Sequence, residues 1–187
     1  MEEIRFHGRG GQGTVLASIS LAKAFFDSGY FVQTFPLFGV ERRGAPIEAY
    51  LRTDTQKILI RNNVHTPDHI VILDNKLLLS IDVTRGLKKG GKILINAPEL
   101  PVSVTESMLA TFNVAIVNAS EIAINHGLGT RTSPIINTSM LGAFSRFFEV
   151  PELKSIETAI LNEVPVKQEQ NVEAAREAFD SVTFFRS

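Results

Sequence analysis

The chain has no cysteine. That excludes disulfides, thiolate zinc sites and an iron–sulfur cluster held by its own side chains. No run of 18 apolar residues occurs, so no membrane-crossing helix is expected. The start, MEEIRFHG, is acidic and has no apolar stretch of the kind a secretory signal needs. A basic excess is also missing: 19 Lys and Arg stand against 20 Asp and Glu, for a formal charge of -1. Nucleic-acid binders show a basic stripe or surplus, so that class is disfavoured. The four histidines form no H-E-x-x-H pattern. His65 and His69 are four apart, but Pro67 between them breaks a shared helical face. Internal repeats, low-complexity runs and long linkers are lacking too. What remains is 187 residues, 44% of them hydrophobic, enough for one cored domain spanning 1–187. A soluble, cytoplasmic protein is expected.

Glu3–His7 reads as a short strand, and residues 11–28 as a helix. Val15, Ile19, Ala22 and Phe26 fall on one stripe, widened by Leu16, Leu21 and Phe25, so this helix is expected to be largely buried. Residues 30–35 read as a strand ended by Pro36, and 36–46 as a structured loop. Residues 47–53 alternate apolar and polar side chains. They follow too closely for a crossover helix, which predicts an antiparallel strand. HIVIL (69–73), KILIN (92–96) and VAIVN (114–118) are apolar runs suited to buried parallel strands. Helices are expected over 76–80, 83–87, 119–126, 136–148, 152–161 and 168–182. The alternation predicts a three-layer α/β/α fold: a doubly wound, mostly parallel, Rossmann-like sheet with one antiparallel strand.

The stretch FHGRGGQGTV joins the first strand to the first helix. It contains G-x-G-x-x-G at Gly8, Gly10 and Gly13. Such a turn exposes backbone N–H groups at a helix N-terminus, which suits anions. A nicotinamide dinucleotide would further require an acid at the end of the second strand, and YFVQTF supplies none. A P-loop would require Lys-Ser/Thr after Gly13, where Thr14 stands instead. Two readings stay open at this point: a tight turn packed against another protein surface, or backbone contact with a phosphorylated ligand. The second unusual segment, PLFGVERRGAPIEAYLR, carries Glu41, Arg42 and Arg43 at its tip. Adjacent arginines can fork onto phosphate or carboxylate oxygens; a solvated charged tip is the plainer alternative. No nucleophile–base pair stands at recognisable spacing. Asp74, Asn118 and Asn137 read as capping or edge residues.

Together, FHGRGGQGTVLASISLAKA and FPLFGVERRGAPIEAYLR resemble the gamma subunit of the 2-oxoacid:ferredoxin oxidoreductases, the pyruvate branch most closely. The G-x-G-G-Q-G motif falls on Gly8, Gly10, Gly11, Gln12 and Gly13, and F-G-V-E-R-R-G-A-P on residues 38–46. NTSMLGA (137–143) resembles a later helix of the family, and the likeness runs from residue 4 to about 180. It implies a non-catalytic chain of a complex that converts pyruvate, coenzyme A and oxidised ferredoxin to acetyl-CoA, CO2 and reduced ferredoxin. Relatives act on 2-oxoisovalerate, 2-oxoglutarate or indolepyruvate. Thiamine diphosphate and iron–sulfur clusters would sit in alpha, beta and delta partners. This chain would serve assembly and the coenzyme A side of the site. Backbone N–H groups from Gly10 to Thr14 would meet a phosphate, Arg9, Arg42 and Arg43 would supply charge, and Gln12 would orient a polar group. Two rivals are a purely structural interaction subunit and a stand-alone nicotinamide oxidoreductase.

Overall fold

The computed structural model describes residues 1–37 and 44–185. Its elements are β1 (Glu2–Arg9), α1 (Thr14–Asp27), β2 (Phe31–Leu37), β3 (Pro46–Asp54), β4 (His69–Ile72), β5 (Lys92–Asn96), α2 (Glu106–Thr111), β6 (Asn113–Val117), α3 (Ala119–Asn125), β7 (Gly129–Thr130), β8 (Ser133–Pro134), α4 (Asn137–Phe148), α5 (Leu153–Glu163), α6 (Gln168–Asp180) and β9 (Thr183–Phe185). A 3-10 turn, Asn75–Leu79, follows β4.

Seven strands form one sheet in the order β2-β3-β1-β4-β5-β6-β9. β1, β4, β5 and β6 are parallel neighbours, as their apolar runs predict. β3 is antiparallel to both β1 and β2, matching the short connection that precedes it. β9 is a further antiparallel strand, on β6, which the helical reading to residue 182 had hidden.

The sheet separates two cores. On one side Ile4, Phe6, Leu51, Val71 and Leu94 pack under α1 and α3 to α6. On the other, Ile70, Ile72, Ile93 and Ile95 are roofed by the 3-10 turn, Val83, Val104 and α2. α4 and α6 approach closely because Gly142 offers no side chain: a Cβ there would stand 1.8 Å from the Ala175 carbonyl oxygen.

Three local expectations change. α1 buries Ala17, Ser18, Leu21, Ala22, Ala24 and Phe25, so Ala22, Leu21 and Phe25 of the expected stripe lie inward while Leu16, Ile19 and Phe26 do not. Its small residues let the helix sit low on β1 and β3, which leaves Leu16 59% and Phe26 60% exposed. Residues 83–87 form a turn, not a helix. Asp82 holds Thr84 through both its amide and its hydroxyl, and Gly86 adopts a φ of 75° against the His65 carbonyl. Pro36 lies inside edge strand β2, where a missing N–H is tolerated, so the loop is shorter than 36–46.

Candidate functional site

The chain leaves β1 for β3 and β2 on one side, then returns to β4 on the other. The carboxyl ends of β1 and β4 therefore flank a topological switch point, where open α/β sheets bind ligands. The glycine turn lies there.

Each turn residue has a distinct place. Gly8 is in β1, and a Cβ on it would meet the Thr14 Oγ1 at 1.9 Å. Gly11 and Gly13 adopt φ of 91° and 76°, a region that L side chains avoid. Gly13 caps α1 without any side-chain acceptor. Gln12 folds back: its Oε1 accepts from the Arg9 amide at 2.9 Å and its own amide donates to the Arg9 carbonyl at 3.0 Å. The amides of Gly11, Gly13 and Thr14 have no partner among the described residues. Those of Val15 and Leu16, in the first turn of α1, are likewise free. The Thr14 hydroxyl is buried and has no hydrogen-bond partner among the described residues. A helix start with open amides and no acidic cap presents partial positive charge.

The second segment meets the first at its base. The Gly10 amide donates to the Ala45 carbonyl at 3.0 Å, and the Gly44 amide to the Gly10 carbonyl at 3.1 Å. Arg9 closes the corner: its Nε lies 2.8 Å from Asp74 Oδ2, and its Nη1 donates to the Gly44 carbonyl. Gln12 Nε2 reaches the same Asp74 oxygen at 3.2 Å. Arg9 thus carries a carboxylate partner within the fold. Asp74 does cap the turn after β4, accepting from the Lys76 amide, but its larger work is this pairing. Phe38 to Arg43, including Glu41, Arg42 and Arg43, lie outside the described residues.

A cleft of about 660 Å3 opens from Gln12 across the carboxyl ends of β4, β5 and β6. Asp74, Asn96 and Asn118 stand at those three ends, and the β7–β8 hairpin forms the far wall. Asn96 donates to the Leu73 carbonyl at 2.9 Å and ties Ser120, while Asn118 caps α3. Asn137 opens α4 and packs beside Gly13.

Under β1, on the face away from α1, lies a buried polar chain. Arg5 Nε donates to His7 Nε2 at 3.0 Å, and Arg5 Nη2 is held by the carbonyls of Val83 and Arg85. Glu48 lies 3.5 Å from His7 Nδ1 and accepts from the Tyr50 hydroxyl. Burial, and then Arg5, push His7 down to about 4. Burial and the Glu48 bond push the Tyr50 phenol up. His7 is neutral at pH 7 and buried between Arg5 and Glu48.

β3 stands between β1 and β2, so the end of β2 is displaced from the glycine turn by two strand spacings, about 10 Å. The acid of a nicotinamide site would have no place next to the turn even if β2 carried one. Among the described residues no group of three His, Cys, Asp or Glu is set to hold a metal ion. Nor is any helix among them long and apolar enough to cross a membrane.

The family model described as pyruvate ferredoxin/flavodoxin oxidoreductase matches residues 3–181. The chain belongs to this family. It is of the gamma-subunit type. The pyruvate/ketoisovalerate oxidoreductases common subunit gamma of Pyrococcus abyssi is 43% identical over 99% of both chains. The crystal structure of pyruvate oxidoreductase subunit PORC from Thermotoga maritima matches with a TM-score of 0.81, at 32% identity, over 98% of this chain and 97% of that one. A 2-oxoglutarate:ferredoxin oxidoreductase from Magnetococcus marinus, solved with 2-oxoglutarate, coenzyme A and succinyl-CoA bound, shares the fold. Its TM-score is 0.72 at 22% identity, over 96% of this chain and 30% of that one. A gamma-type chain is a subunit of a larger 2-oxoacid:ferredoxin oxidoreductase.

Sequence reasoning placed the glycine turn but missed the Arg9–Asp74 clip. The available signal was an Asp directly after an apolar β4 run, at a carboxyl edge. Lys76 and Arg131, which line the cleft, carry no motif and were not singled out.

Proposed function

We propose that this chain is the gamma subunit of a pyruvate:ferredoxin oxidoreductase and that its glycine turn contributes to coenzyme A binding. The observation that carries the reading is the set of unpartnered amides at Gly11, Gly13 and Thr14, beside a neighbouring segment hydrogen-bonded to Gly10. A phosphate of coenzyme A matches that polarity. Coenzyme A in the Magnetococcus marinus enzyme, and the pyruvate named for the Thermotoga maritima subunit, support the same reading. Gly8, Gly10 and Gln12 shape the turn, and Arg42 and Arg43 supply charge to the phosphates. Arg9 acts mainly as a clip, through Asp74.

The companion chains are alpha, beta and delta subunits, with ferredoxin as electron acceptor. Thiamine diphosphate and iron–sulfur clusters in those chains supply decarboxylation and electron transfer. This chain, with no cysteine, adds no thiolate to a cluster. Its part is to bind and orient coenzyme A and to assemble. The exposed face of α1, with Leu16, Ile19 and Phe26, suits contact with a companion subunit.

One observation favours a purely structural role. Arg9, the turn residue with a positive charge, is already engaged by Asp74. Coenzyme A titration of the assembled enzyme separates the two. With Arg42→Ala and Arg43→Ala combined, the KM for coenzyme A should rise about tenfold or more, as expected for lost charged contacts. An unchanged KM removes these arginines from the site and favours the structural role.

A further inference from the structure

A second cavity, of about 380 Å3, lies at the amino ends of β1, β4 and β5, the sheet edge opposite the glycine turn. No residue lines both this cavity and the cleft beyond Gln12. We infer that it binds a small, uncharged aromatic molecule with a hydrogen-bonding group at each end. Such a site is independent of the coenzyme A reading.

Its wall is a run of rings. Tyr30, Phe25, Phe144, Phe148 and His69 meet in that order, with centroids 5.4, 6.3, 3.9 and 5.1 Å apart, and all five line the cavity. An occupant with a flat ring meets both edges and faces there. The charged groups around the cavity are engaged or lie in water. Asp54 accepts from the Met1 amine at 2.9 Å. The Lys92 ammonium donates to the Phe147 carbonyl at 3.0 Å and sits over the Phe147 and Phe148 rings. Glu2 leaves 60% of its side chain exposed. Burial holds His69 below its ordinary value, so its ring is neutral at pH 7. A charged occupant would lose its hydration and find no free counter-charge inside.

Two polar groups are left without partners. Thr53 follows Ala49 and Leu51 on the β3 face that packs under α1, and it lines the cavity. The residue is only 4% exposed, and its hydroxyl has no hydrogen-bond partner among the described residues. A buried hydroxyl left this way costs stability, which a ligand group would recover. The second group is His69 Nε2. Nδ1 accepts from the Lys92 amide at 3.1 Å, so the proton of the neutral ring is on Nε2. Glu2, at 4.0 Å, is beyond hydrogen-bond reach of that N–H. β1 separates β3 from β4, so the strands bearing Thr53 and His69 are about 10 Å apart. A ring with a hydroxyl at one end and a carbonyl at the other suits that spacing: the hydroxyl meets Thr53, and the carbonyl accepts from His69.

The test is a saturation-transfer NMR titration of the assembled enzyme with two probes, 4-hydroxybenzamide and benzamide. The hydroxylated probe should bind with a Kd of about 1 mM or tighter, and benzamide about fivefold more weakly. Thr53→Val keeps the shape and removes the hydroxyl. It should bring 4-hydroxybenzamide to the level of benzamide and move benzamide by less than about twofold. Thr55→Trp, at an exposed position on the cavity, should abolish binding of both. Its result stands even if Thr53→Val fails to assemble. Saturating coenzyme A should leave both Kd values unchanged. Absence of binding, binding that survives Thr55→Trp, displacement by coenzyme A, or equal weakening of both probes by Thr53→Val would each overturn the assignment.

Discussion

Arg9 Nε and Asp74 Oδ2 lie 2.8 Å apart, joining the carboxyl ends of β1 and β4 across the switch point of the sheet. Through its Nη1 the same arginine holds Gly44, and through Asp74 it shares an acceptor with Gln12. One ion pair thus fixes the glycine turn, the neighbouring segment and the mouth of the cleft relative to each other. Both side chains are largely withdrawn from water, so the pair is worth more than an exposed one. A double-mutant cycle with Arg9→Met and Asp74→Asn should give a coupling of about 1–2 kcal/mol in thermal or denaturant unfolding. A coupling near zero would mean the two side chains are neighbours without being a clip.

The contact between Gly8 and Thr14 makes a second expectation. Gly8→Ala puts a methyl where the Thr14 hydroxyl already stands. The single variant should lose about 1–3 kcal/mol of stability, typical of overpacking. Thr14→Ala should be mild alone, because the hydroxyl it removes is buried without a partner. Combined with Gly8→Ala, it should restore part of the loss. Strictly additive effects would show that the turn does not close on Thr14 as described.

His7 gives a pH dependence with a definite sign. Its folded value is about 4, below the ordinary 6.5, because burial and Arg5 disfavour the imidazolium. The unfolded chain therefore binds the extra proton between these values. The stability from neutral His7 is complete above 6.5 and declines as pH falls toward 4, by roughly 3 kcal/mol in all. His7→Gln should flatten this part of the stability profile. A profile of unchanged slope would place the acid sensitivity elsewhere.

The outer face of α1 offers a test of assembly. Leu16→Lys and Phe26→Lys lie at exposed positions and should shift the stability of the chain by no more than about 0.5 kcal/mol. If this face meets a companion subunit, the two changes together should lower the yield of intact complex when all chains are co-expressed. Full assembly with both lysines would remove α1 from the interface.

The sheet was legible because HIVIL, KILIN and VAIVN are unbroken apolar runs, and β3 because it alternates beside a short connection. α1 was legible as a helix but only in part in its orientation: Leu21, Ala22 and Phe25 lie inward as expected, Leu16, Ile19 and Phe26 do not. Apolar residues surround it almost completely, so periodicity left the face undecided, and the small size of Ala17, Ser18 and Ala24 decided it. α2 is six residues long and rests on one cap, the Thr105 hydroxyl accepting from the Met108 amide, a signal too short for a period to show. β9 spans three residues and exists only because β6 offers an edge. At the site, the glycine turn could be read because strand, glycines and helix are contiguous. The Asp74 clip, 65 residues from Arg9, is a product of the parallel β1–β4 pairing; the sequence marks Asp74 at a carboxyl edge but does not show which residue it meets.

The role of the glycine turn is open to a direct reading by hydrogen exchange on the assembled enzyme. A peptide spanning residues 8–16 contains the free amides of Gly11, Gly13, Thr14, Val15 and Leu16. Exchange in that peptide should slow when coenzyme A is added at saturation, while β4 and β5 peptides, already protected in the sheet, should stay as they were. Equal exchange in the 8–16 peptide with and without coenzyme A would contradict a phosphate cradle at this turn.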